Sequence, residues 1–110
     1  MPKIATLSVT DKTLADGAES LATGADDGFP FHALRVQVDA APSAGTLAVA
    51  VRIPGATEFD TLATLDLTDP TALRWNHSGF VAEWKFTPSG IVPAGTQWSA
   101  FVTAGMGAPA

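Results

Sequence analysis

Leu47, Val49, Val51 and Ile53 occupy alternate positions, with Thr46, Ala48, Ala50 and Arg52 between them. A period of two places the two sets on opposite faces of a β-strand. Pro54, Gly55 and Ala56 then turn the chain into a second extended run, which predicts a hairpin with one buried face. The same alternation recurs elsewhere. Ala5, Leu7 and Val9 alternate with Thr6, Ser8 and Thr10, and Leu34, Val36 and Val38 oppose Arg35, Gln37 and Asp39. From Phe59 to Leu67 the phase changes: Ala63, Leu65 and Leu67 share a face while Leu62 points the other way. Either a bulge near Thr61 or burial on both faces accommodates this. Leu73 and Trp75 make a short strand after the Asp69-Pro70 turn, and Asn76-His77-Ser78-Gly79 reads as another turn. Phe80, Ala82, Trp84 and Phe86 then form an aromatic face against Val81, Glu83 and Lys85. Trp98, Ala100, Val102 and Ala104 close the pattern, with Phe101 on the opposite face. Residues 11–28 are poor in large apolar side chains and read mostly as loop, with room for a short strand at Thr13–Ala15 or about one turn of helix at Ala18–Ala22.

Seven or eight short strands separated by Gly and Pro turns, without an amphipathic helix, predict an all-β fold. The expected architecture is an antiparallel β-sandwich, Ig-like or jelly-roll-like, with a small β-barrel as the alternative. Shared parity predicts a core of Phe80, Trp84 and Phe86 against Leu34, Val36, Leu47, Val49 and Val51. The length of 110 residues suits a single domain, read as residues 1–104, followed by a Gly/Ala/Pro tail at 105–110.

Charge narrows the range of partners. Eleven acidic residues face six basic ones, a formal net charge of -5, so the chain repels polyphosphate at long range and nucleic acid is not an expected partner. The absence of cysteine excludes disulfides and thiolate metal sites. The N-terminal Met-Pro-Lys-Ile-Ala-Thr lacks the apolar segment of a signal peptide, and no apolar run reaches the length of a membrane helix, so no membrane partner is expected. Only 15% of residues are charged, a sparse surface that points to coverage by a neighbour. Ala48, Ala50, Val81 and Phe101, which alternation assigns outward, are the candidate interface residues.

Candidate chemistry is thin. His32 and His77 are the only histidines; with Asp26 or Asp27 they would make a hydrolytic or metal site, but they lack metal-ligand spacing and read as surface or turn residues. Ala25-Asp26-Asp27-Gly28 lacks the alternating acidic ladder of a calcium loop. No nucleophile motif or phosphate loop occurs, so catalytic residues, cofactors and metals are all expected to be none. Trp75 and Trp98 are the candidates for a sugar-stacking platform, weighed against burial in the core.

The runs Gly45-Thr46-Leu47-Ala48-Val49-Ala50-Val51, Pro54-Gly55-Ala56 with Phe59, and Gly79 through Gly90, together with the closing Trp98–Thr103 strand, cover 29 of the 110 residues. In this texture the chain resembles the small β-sandwich structural proteins of tailed bacteriophages, the head-decoration and tail-accessory proteins. The resemblance implies a non-enzymatic virion protein, made in the bacterial host cytoplasm, that stabilises a capsid or serves a tail. It also implies a symmetric homo-oligomer, with a trimer expected for a head-decoration role, bound to capsid or tail proteins. The alternative is a carbohydrate-binding sandwich module.

Overall fold

The computed structural model describes residues 4–22, 31–69 and 73–105. Its strands are β1 (Ile4–Lys12), β2 (Glu19–Ala22), β3 (Phe31–Val38), β4 (Ala44–Arg52), β5 (Asp60–Asp66), β6 (Arg74–Ser78), β7 (Glu83–Val92) and β8 (Trp98–Gly105). They form two four-stranded sheets, β1-β8-β3-β6 and β2-β7-β4-β5, in which every pairing is antiparallel. Strand β1 pairs with β8, β2 with β7, β3 with β6 and β4 with β5. The chain is thus a long antiparallel hairpin folded over on itself, and the lateral pairs β3-β8 and β4-β7 close each sheet. That is the jelly-roll arrangement of a β-sandwich. The expected sandwich is found, and the closed barrel is not.

Alternation supplies the core. Leu47, Val49 and Val51 of β4, Trp84 and Phe86 of β7, Leu34 and Val36 of β3, and Trp98, Ala100 and Val102 of β8 are all buried between the sheets. Trp84 stacks on Phe86 with ring centroids 6.3 Å apart and planes 9° from parallel. Phe86 in turn meets Trp98 at 6.3 Å. The phase change in β5 is a bulge: Val49 faces Ala63 while Ala50 faces Thr61, leaving Leu62 as the extra residue. One skipped position lets β5 bury Leu65 while its outer face stays polar.

Several expectations are corrected. Phe80 is not in the core: it is 53% exposed. The backbone bends at Ala82, whose N–H donates to the Arg52 carbonyl at 2.8 Å, so regular alternation starts only at Glu83. For the same reason Val81, assigned outward, is fully buried, and Ala82 beside it is buried too. Ala50, also assigned outward, is buried between its register partners Thr61 and Lys85. Trp98 is wholly enclosed, which removes it as a sugar platform. The stretch around Thr13–Ala15 is a 3-10 turn over Leu14–Asp16. The Asp16 carboxylate accepts from the Thr13 N–H at 2.7 Å and the Thr13 hydroxyl at 3.2 Å. Glu19–Ala22 is a strand on β7 rather than a helical turn. His77 lies inside β6, not in a turn. Asp26, Asp27 and residues 106–110 lie outside the described residues.

Candidate ligand-binding face and the histidine pair

Strands β3 and β6 place His32 directly opposite His77. Both rings point inward, because β3 buries His32, Leu34 and Val36 on the same parity and β6 turns Trp75 and His77 the same way. The two imidazole centroids are 6.0 Å apart. His32 meets the ring of Trp84 edge-on at 5.6 Å. His77 lies between Trp75, stacked at 5.7 Å, and Trp84, edge-on at 6.0 Å. The fold therefore joins two residues that sequence spacing left apart. No group of three or more histidine, cysteine, aspartate or glutamate side chains able to hold a metal occurs among the described residues. The pair is set in an aromatic wall instead.

Burial pushes the His77 pKa below its ordinary value of 6.5, because the charged ring would be stranded among apolar groups. The folded chain thus binds this proton less readily than the unfolded chain. The resulting stability is fully present above the unfolded value of 6.5 and is lost as pH falls through the lower folded value. We expect the urea midpoint to fall between about pH 7 and pH 5, and His77→Phe to flatten that fall. An unchanged slope in the variant would place the titration elsewhere.

The opposite face of the same sheet is solvent-facing. Residues of alternate parity line up across it by register: Ser8, Phe101, Arg35 and Arg74 form one row, and Thr6, Thr103, Ala33 and Asn76 the next. Gln37 faces Ser99 in a third row. Phe101 is half-buried, whereas Arg35, Gln37, Arg74, Asn76 and Thr103 are exposed. Together these side chains line an open groove of about 760 Å³. Of the expected interface set, Phe101 is here, and Ala48 is half-buried on the outer face of the other sheet. Trp75 borders the groove, but its ring is stacked on His77, toward the interior.

The charges on this face are unusual for the molecule. Lys12 pairs with Glu19 at 3.4 Å. Arg52 pairs with Glu83 at 3.3 Å and donates to the Ala56 carbonyl at 3.1 Å. The Lys85 ammonium sits 5.4 Å from the centre of the Phe59 ring. Arg35 and Arg74 make no ion pair or side-chain hydrogen bond with any described residue, and they are direct cross-strand partners. The sequence separates these two arginines widely, so only the β3-β6 register reveals that they adjoin.

No family model matches this chain, and no curated protein does. Solved structures do share its fold. The SPBc2 prophage-derived protein YomS aligns over 93% of this chain and 95% of its own at a TM-score of 0.57 and 10% identity. FLHE aligns over 94% and 96% at 0.54 and 14% identity. The Yersinia pseudotuberculosis-derived mitogen aligns over 94% and 86% at 0.52 and 13% identity. At these identities the likeness is one of fold, and it extends over nearly the whole chain.

Proposed function

We propose that this chain is a non-enzymatic structural protein of a tailed-bacteriophage virion, a head-decoration protein that acts as a symmetric homo-oligomer. The observation that carries the assembly reading is a pair of large apolar side chains at one end of the sandwich. Ile53 is 49% exposed and Phe80 is 53% exposed. Ile53 directly follows β4 and Phe80 precedes β7, and the hydrogen bond from Ala82 to Arg52 ties those two strand ends together. A monomer gains nothing from wetting both, whereas a second copy of the chain covering their exposed halves recovers about 0.8–1.5 kcal/mol per side chain. These residues replace Val81 and Ala50 in the expected contact, since the subunit's own fold already covers those two. The phage assignment is supported by the sequence resemblance and by the prophage origin of YomS, which shares the fold. The lack of catalytic motifs in the sequence favours a structural role over an enzymatic one.

Sedimentation equilibrium of the purified chain is expected to give three times the 11.3 kDa subunit mass. The double variant Ile53→Ser, Phe80→Ser is expected to sediment as a folded monomer, because neither side chain contributes to the core. The parent chain is also expected to co-sediment with purified phage heads. A parent chain that is strictly monomeric and never co-sediments with heads or tails would overturn the reading.

A further inference from the structure

The chain has five more acids than bases, yet Arg35 and Arg74 are left without a partner among the described residues. They also stand opposite each other on neighbouring strands. Cross-strand partners have their Cβ atoms about 5 Å apart, and like charges at that spacing destabilise a sheet. The other described cations, Lys12, Arg52 and Lys85, each have a carboxylate or an aromatic ring. An anion brought from outside removes the repulsion, and two adjacent guanidinium groups are well shaped to share one carboxylate.

The surroundings define what carries that anion. Phe101 follows Arg35 in the same register row, offering a half-buried ring. Asn76, Gln37 and Thr103 line the groove with amide and hydroxyl groups that both donate and accept. The groove volume of about 760 Å³ falls in the range of small-molecule sites, roughly 300–1,000 Å³. Strands β3 and β8 are interior to the sheet, so their backbone groups are already committed to neighbours on both sides. A peptide strand could add only along the outer edge of β6, beside this face rather than over it, so recognition on the face itself runs through side chains. Two arginines on a protein of net charge -5 are also too few to hold a polyphosphate backbone or an anionic membrane.

We propose that this groove binds a carboxylate-bearing sugar unit of an acidic polysaccharide. Arg35 and Arg74 hold the carboxylate, Phe101 takes the ring face, and Asn76, Gln37 and Thr103 bond the hydroxyls. The site is distinct from Ile53 and Phe80, and the proposal stands or falls independently of the virion assignment.

The test is titration of the full-length isotope-labelled chain by amide NMR with trigalacturonate, a hyaluronan tetrasaccharide and sialyllactose. The controls are the methyl ester of trigalacturonate, neutral lactose, inorganic phosphate and a tetraglutamate peptide. At least one acidic sugar is expected to shift amides of residues 33–37, 74–76 and 101–103, and the neutral controls are not. Arg35→Gln and Arg74→Gln are each expected to weaken that binding about tenfold or more, and added salt should weaken it further. Both variants should melt no lower than the parent, because each removes a like-charge contact; this separates loss of binding from loss of fold. The Ile53→Ser, Phe80→Ser variant should bind as the parent does. Absence of shifts with all three acidic sugars overturns the proposal. So does equal binding of the methyl ester, or phosphate binding as tightly as the sugars. Tetraglutamate binding where the sugars fail would assign the face to an acidic protein segment instead.

Discussion

Trp84→Ala is expected to lower the free energy of unfolding by about 3–5 kcal/mol, read from urea denaturation. Trp84 has no solvent exposure and sits in the middle of the aromatic wall, touching His32, His77 and Phe86. Its indole N–H has no acceptor among the described residues, so its contribution comes from packing and area rather than from a hydrogen bond. Truncation removes contacts from both sheets at once, and the facing rings are braced by their own strands, so the cavity cannot close fully. The large expected loss follows from that rigidity. A loss under about 1 kcal/mol would mean that the site collapses freely, contrary to a tightly packed sandwich.

Gly45→Val is expected to destabilise by a comparable amount, through backbone strain and overpacking together. Gly45 has φ of 142°, a region that L-residues with a side chain rarely adopt. A Cβ built there would stand 2.9 Å from Ile91 Cγ1 and 3.0 Å from Ile91 Cα. The second atom is backbone of the neighbouring strand and cannot rotate away. The register confirms the crowding: Ala44 faces Val92 while Thr46 faces Ser89, so β7 bulges against β4 at this glycine. The Gly45 carbonyl also accepts from the Leu67 N–H at 3.0 Å, which ties the start of β4 to the end of β5. Strain and overpacking each cost about 1–3 kcal/mol. Thermal unfolding measures the sum. A variant that melts with the parent would show that β7 yields at Ile91.

Local alternation made β3, β4 and β8 legible, including the outward placement of Phe101 and Arg35. It also marked an irregularity in β5, because Leu62 is out of phase with its neighbours, and the register resolves it as a bulge rather than burial on both faces. It failed where extended geometry breaks off. Phe80 continues the parity of Trp84 on paper, but the bend at Ala82 intervenes, and hydrophobicity does not signal a bend between apolar residues. Strand β2 carries too few apolar residues to announce itself, since it lies at a sheet edge and draws its order from pairing with β7. His77 looks like part of a turn because Asn, Ser and Gly surround it. What holds it in β6 is the ladder to β3. The groove was the least legible feature, because it is made by register between strands distant in sequence. Arg35 and Arg74, read singly, are ordinary surface cations, and their meaning appears only when they become neighbours.

The nested order of the strand pairs also bears on the route by which such a chain can reach its native state. Most of its contacts join residues far apart in sequence, a topology that ordinarily slows folding through the entropy of closing long loops. Here, however, β4 and β5 are separated by a short connection, and once they meet, β3 and β6 are held close. That second closure brings β2 and β7 within reach, and then β1 and β8. Each step spans only the few residues left open by the one before. A chain whose outermost strands lie about ninety residues apart can therefore assemble as a succession of small ring closures, zipping from its middle toward both ends.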